Sequence, residues 1–253
     1  MMRWFRGSGH LATRRELSPK IGFLRVVVTA AVWLVPFLWM LLASVRPERF
    51  GGSGMASLVP DFVPTAGNFS EAWASADFPR YTLNTMMIAF GILAVQLVTI
   101  TLAGYAFARH EFPGKQAVFY LFLLQLMLVP VVLIVPNLTM VARLGLYDTL
   151  AGVMAPYFAS AFGTFLMRQT FRAIPRELED AASIDGAAWW QRLWFVYVPL
   201  CVPAFIAFSV VSVTAHWNEF LWPLMVINAP DKRPLTVGLA AFTRGAEGAQ
   251  PGV

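Results

Sequence analysis

Two groups of polar residues could do chemistry in this chain. The first is Glu177, Glu179, Asp180 and Asp185, interleaved with Ala181, Ala182, Ala187 and Ala188 and punctuated by Gly186. Acids in the first turns after Pro175 favour the positive end of a helix dipole. Alanine forms helix with almost no bulk, and a glycine after Asp185 can take the left-handed conformation that ends a helix. The pattern predicts two short helices with a break. The second runs from about Ala187 to Pro199 and carries Trp189, Trp190, Leu193, Trp194 and Val198. Small residues beside exposed acids suit close approach by another surface. They also suit an amphipathic helix lying on a membrane, and the residues alone leave both readings open. The second group is Gln96, Gln125, His216, Asn218 and Glu219, all in or beside strongly apolar stretches. Ionisable groups at membrane depth usually face the bundle interior, where this set would line a cavity and hydrogen-bond a solute bearing hydroxyls. The alternative for Glu219 is local packing near the outer interface.

Bond-making chemistry has no comparable candidates. No Gly-x-x-x-x-Gly-Lys-Ser/Thr loop is present, so the chain is not expected to be its own P-loop ATPase. There is no His-Glu-x-x-His, and His10, His110 and His216 are far apart, so neither catalytic residues nor a metal site is expected. Cys201 is the only cysteine, which excludes an internal disulfide.

The elements that must position these groups follow from composition. Of 253 residues, 58% are hydrophobic and 13% charged, against roughly 45–50% and 25% in soluble proteins. A soluble fold cannot hide that much apolar surface, so an all-α integral membrane protein is expected. The formal charge of +5 then reads as anchoring charge at the membrane face, not as affinity for nucleic acid. A span needs about 20 apolar residues, and five stretches qualify: 21–45, 83–108, 116–142, 149–167 and 193–228. The first is too long for a signal peptide, contains Trp33, Pro36 and Trp39, and has no small-residue cleavage site directly after it.

Lys and Arg in short loops set orientation. With the N-terminus inside, twelve fall on the cytoplasmic side and seven outside. The expected organisation is a cytoplasmic segment 1–20, a transmembrane domain 21–228 with a cytoplasmic loop 172–199, and an external tail 229–253. Pro130 and Pro136, and Pro199 and Pro203, lie within two of the spans and remove backbone donors. They would kink a protein that opens alternately to two sides; proline is also simply commoner in membrane helices.

The ordered run Asp180, Ala181, Ala182, Ser183, Ile184, Asp185, Gly186, Ala187, continuing to Val198, Pro199 and Leu200, resembles the EAA loop of ABC importer permeases. The preceding Ile174-Pro-Arg-Glu-Leu178 is similar as well. So are Trp217-Asn-Glu-Phe-Leu-Trp-Pro-Leu224 and Arg233-Pro-Leu-Thr-Val-Gly-Leu239, which resemble the carbohydrate-uptake branch, with its maltose-type and glycerol-phosphate-type permeases. The resemblance implies the transmembrane domain of a type I ABC importer in a bacterial or archaeal cell membrane. It implies that Glu179, Asp180, Ala181, Ala182, Asp185, Gly186 and Ala187 couple to a separate ABC ATPase dimer. ATP then acts through that partner, and no cofactor is held by this chain. A homologous second permease subunit and an extracytoplasmic solute-binding protein complete the expected assembly, which imports a sugar or related polyol. There are two departures. Asp180 stands where the family has Glu, and the sequence stops at Val253, before the family's sixth span. A stand-alone secondary transporter or channel is the alternative, but it would show internal repeats. An intramembrane enzyme would need a catalytic motif.

Overall fold

The computed structural model describes residues 19–45 and 64–248. The N-terminal arginines 3, 6, 14 and 15, His10, Arg46, Arg49 and the last five residues of the expected tail lie outside the described residues. All described elements are helical, and the chain divides into two units, 1–74 and 75–253.

The first unit contains α1 (Pro19–Ser44) and all but the last residue of α2 (Gly67–Ser75). The 26 residues of α1 match the first expected span, and the helix continues through Pro36. At about 1.5 Å per residue it is long enough to cross a bilayer. The backbone N–H of Thr65 donates to Val45 O (2.9 Å), and Asn68 Nδ2 donates to Ser44 O (3.0 Å).

The second unit is built around α3 (Phe78–Arg109), 32 residues long. Asp77 caps its start by accepting the Arg80 N–H, and Pro79 sits in the first turn, where no donor is missed. The helix stops at His110, and Gly114 turns the chain with φ 79°, as the Pro113-Gly114 pair predicts. The third expected span is broken. α4 (Lys115–Met127) and α5 (Ile134–Arg143) meet at a bend of 105°, with a 3-10 turn at Pro130–Leu133 between them. Val129 is extended (ψ 125°) because the residue before a proline avoids helical backbone. Pro136 lies in the first turn of α5 and breaks nothing.

The fourth expected span comprises α6 (Leu150–Met154), a turn at Ala155–Tyr157 and α7 (Ala161–Ala173), bent by 44°. α8 (Arg176–Ile184) follows. Then α9 (Trp189–Arg192), a stretch of wider π turns at Leu193–Tyr197 and α10 (Val198–Leu200) lead into α11 (Val202–Trp217). The 76° bend before α11 falls at Cys201, between Pro199 and Pro203. The expected run 193–228 is therefore not one span: its long helix ends at Trp217, and α12 (Leu221–Val226) is separate. Two helices are long and apolar enough to cross a membrane singly, and up to five spans result if each bent pair counts as one. The expected tail is helical over α13 (Leu235–Gly248). Its start is fixed by Thr85 Oγ1, which accepts the Leu235 N–H (2.8 Å). Tyr81 packs where a side chain on Gly238 would stand, and Val237 is buried.

α3 and α7 pack closely through small residues, the usual device where lipid removes the hydrophobic drive between helices. Gly104 faces Met167, and Gly163 faces Ile100 and Phe208 of α11. Two apolar clusters result. One joins Ile100, Tyr105, Met167, Phe171, Tyr197 and Phe208; the other joins Ile88, Ile92, Val141, Val153, Trp222 and Val226.

Candidate functional site

The segment between α7 and α11 begins where Pro175 ends one helix and starts the next. Glu177 and Glu179 occupy the first turn of α8, as the dipole favours. The end of α8 is a complete Schellman motif: Ala187 N–H donates to Ala182 O (2.9 Å), and Gly186 N–H to Ser183 O (3.1 Å). Gly186 has φ 78°, so the expected left-handed turn is present, and a Cβ there would meet no atom within 4 Å. The Ala188 N–H donates to Gln191 Oε1 (2.8 Å) and holds the start of α9. Asp180, Ala181, Ser183, Asp185 and Gly186 are exposed, with Ala182 and Ala187 half-buried. Ile184 is 86% exposed, an apolar side chain at the tip of a polar arm.

Glu179 behaves differently from its neighbours. Its carboxylate turns inward, with the side chain 17% exposed. Tyr197 Oη donates to Oε2 (2.6 Å) and Tyr105 Oη to Oε1 (3.4 Å). Arg109 Nε lies 3.7 Å away and Arg192 Nη1 3.9 Å away, within ion-pair range. Arg109, 5% exposed, also donates through Nη2 to the last carbonyls of α7, those of Phe171 and Ile174, a favourable place for a cation. Tyr105, Phe171 and Tyr197 meet edge-to-face around it, with centroids 5.2–6.4 Å apart. The base of the arm is thus tied to α3, α7 and the π stretch by one carboxylate and two guanidinium groups. Tyr105, Arg109, Arg192 and Tyr197 do not stand out in the sequence. The available signal is Arg109 itself, a cation closing an otherwise apolar helix.

The candidate solute-binding residues lie on α3, on α4 and at the end of α11. Gln96 is 4% exposed and fully engaged: Nε2 donates to Tyr157 O (2.7 Å) and Oε1 accepts from Ser212 (2.6 Å). Thr99 donates to Phe158 O (2.8 Å). These groups satisfy carbonyls at the bend between α6 and α7, which the helix break would leave without partners in lipid. Gln125 is exposed on α4, and Asn218 is exposed at the end of α11, where Nδ2 donates to Thr214 O (2.7 Å). Glu219 accepts the Trp222 N–H at 3.4 Å, and the His216 ring packs against Tyr157 at a tilt of 53°, centroids 4.6 Å apart. The structure brings Gln96 and His216 together on Tyr157, with Gln125 on a different helix.

Charged groups collect at the opposite ends of α3. The α8 arm and Arg109 mark one. At the other, Arg80 pairs with Asp231 (3.1 Å) and Asn84 donates to the carbonyls of Asp231 and Arg233. There Asp148 accepts the N–H groups of Ala229 (2.9 Å) and Asn228 (2.8 Å). Those two bonds, helped by Lys232, hold its carboxyl below the ordinary value.

Comparison with known proteins gives this architecture its context. A solved bacterial ABC transporter involved in import of the acidic polysaccharide alginate superposes with a TM-score of 0.75. It covers 87% of this chain and 79% of its own, at 23% identity, a likeness of fold. Among curated relatives, the lactose transport system permease protein of Rhizobium radiobacter is 30% identical over 90% of this chain and 83% of its own. The diacetylchitobiose uptake system permease protein of Streptomyces coelicolor is 31% identical over 86% and 72%. The sn-glycerol-3-phosphate transport system permease protein of Escherichia coli is 30% identical over 88% and 81%. The family model described as binding-protein-dependent transport system inner membrane component matches residues 100–245, which include the α8 arm and its Glu179 anchor. The chain belongs to this family of importer permeases.

Proposed function

We propose that this permease imports a sugar or related polyol-type solute, and that the arm over α8 and α9 is where a separate ATPase docks. The relatives' names, which include lactose, diacetylchitobiose and glycerol phosphate, support the solute class. The observation that carries the docking reading is the contrast within α8. Asp180, Ala181, Ile184 and Asp185 project from an arm whose base is held by the Glu179 cluster. An arm held at the base and bare at the tip can receive a push and pass it to α3, α7 and α11. ATP binding and hydrolysis in the partner would move the arm and rock the spans between inward-open and outward-open states. A second permease subunit completes the pathway, and an external binding protein delivers the solute. In this reading the chain performs no chemistry of its own.

The test uses Gly186→Asp and Asp180→Lys in the assembled transporter, with uptake, complex recovery and solute-stimulated ATP hydrolysis measured side by side. Aspartate tolerates a left-handed position better than most residues with a Cβ, so the chief effect of Gly186→Asp is bulk and charge added to the docking surface. Both variants should insert and fold. Transport should fall steeply, with the ATPase either lost from the complex or hydrolysing ATP without response to solute. Wild-type values for all three measurements in both variants would remove the arm as the dock.

A further inference from the structure

A cavity of about 790 Å³ lies beside the base of the arm, between the C-terminal ends of α3 and α7 and the first turn of α4. Its apolar wall is aromatic, formed by Phe107, Phe112, Phe119 and Tyr120, and four cations face into it against one acid. The acid, Glu111, is held by Lys115 at 2.9 Å. Arg168 lies over the Phe119 ring at 4.0 Å, and its Nε donates to Phe107 O (3.3 Å). Arg172 and Arg176 are exposed; among the described residues neither is within ion-pair distance of a carboxylate, and Glu111 feels both only weakly beside Lys115. The first turn of α4 also lines the cavity, and no side chain caps it, so its dipole adds positive potential. From there the outer face of α4 continues as exposed Val118, Leu121 and Leu124. Uncompensated cations at the mouth, aromatic walls and an adjoining apolar track match a ligand that is anionic at one end and greasy at the other. A soluble anion has no use for the track.

We propose that this cavity seats the phosphate head group of an anionic phospholipid, with its acyl chains lying along α4. Basic pockets between membrane helices attract such head groups, and each Lys or Arg near the surface contributes measurably. The site is separate from the exposed tip of the arm, and its occupancy does not require the ATPase.

The test is native mass spectrometry of the delipidated full chain in neutral detergent, titrated with phosphatidylglycerol or phosphatidylcholine. Phosphatidylglycerol should bind about tenfold or more tightly than phosphatidylcholine. Arg172→Gln with Arg176→Gln should weaken it roughly 30-fold, the loss expected from two near-surface charges. The corresponding double lysine variant should stay close to wild type, as should Arg143→Gln at the far end of α5. Equal binding of the two lipids, or undiminished binding in the double glutamine variant, overturns the proposal. Displacement of the lipid by millimolar inorganic phosphate would make this a site for free anions, and displacement by a glutamate-rich peptide would make it a protein contact. Either result also overturns the lipid assignment.

Discussion

Glu179 and Asp180 are successive acids on one helix, but successive helical residues point about 100° apart, and here that separates the buried base of the arm from solvent. The Asp180 carboxylate is exposed, whereas Glu179 meets two tyrosines and two arginines. Removing one member of a buried charge cluster costs roughly 3–5 kcal/mol, because the remaining charges stay desolvated. Glu179→Ala should therefore lower thermal stability by an amount toward the low end of that range, since its side chain keeps some exposure. Tyr197→Phe should cost about 1.5–3 kcal/mol, one hydrogen bond to a charged group. The two roles separate in the assembled transporter. Glu179→Ala should still recover ATPase with the complex, yet hydrolysis should respond weakly to solute, because the arm's tip is intact and its connection to the spans is not. Loss of ATPase binding in Glu179→Ala, with normal protein recovery, would place Glu179 in the docking surface itself. The left-handed turn at Gly186 was legible from its place after an acid-led, alanine-rich helix. The inward turn of Glu179 was not, because a run of acids gives no sign of which one finds partners from α3 and the π stretch.

At the scale of elements, apolar length foretold where the chain could cross a bilayer but not where it bends. Pro130 sits at the 105° break, and Pro199 and Pro203 flank the 76° one, whereas Pro36 and Pro136 lie in continuous helix. What distinguishes them is local. Pro136 falls in a first turn, where its missing N–H has no partner to lose. The 44° bend between α6 and α7 carries Pro156 in its turn, and its freed carbonyls are met by Thr99 and by Gln96, whose sequence context suggested a solute cavity. Helix contacts depend on small residues in the same way. A Cβ at Gly163 would lie 2.6 Å from the Phe208 ring and 2.7 Å from Ile100. Gly163→Ala should therefore destabilise by about 1–3 kcal/mol, the usual cost of overpacking, read as a lower thermal midpoint in detergent. An unchanged midpoint would mean that α3, α7 and α11 pack less tightly than described. At the far end, Asp148 closes the link between residues 144–149 and 228–232 from a positive-φ position (57°) that Asp and Asn tolerate better than most residues. Its carboxyl titrates below the ordinary 3.8, so its stabilising share is complete above that value and lost as pH falls through the lowered one. Asp148→Ala should lower the thermal midpoint at neutral pH more than Asp148→Asn does, and the difference between wild type and Asp148→Asn should shrink below pH 3.8. A pH-independent difference would show that charge at Asp148 contributes nothing.

For the whole molecule the open quantity is which end of α3 faces the cytoplasm. Arg109, Arg168, Arg172, Arg176 and Arg192 gather at its C-terminal end, and Arg80, Lys232 and Arg233 at its N-terminal end, the grouping that the loop charges foretold. The excess of Lys and Arg on the arm's side predicts that this side is cytoplasmic. An ATPase that works on cytoplasmic ATP would have to dock there too, so two independent arguments agree. Cys201 is buried and is the only cysteine, so Cys201→Ala gives a background without reactive thiols. Ser183→Cys would place one thiol on the exposed face of α8, and Arg143→Cys would place one at the exposed end of α5. A membrane-impermeant maleimide should label position 143 in intact cells, and position 183 only after the membrane is opened. The reverse pattern would put the arm outside, where no cytoplasmic ATPase could reach it. Orientation and coupling mechanism would then fail together, while the helical packing that defines the family would stand.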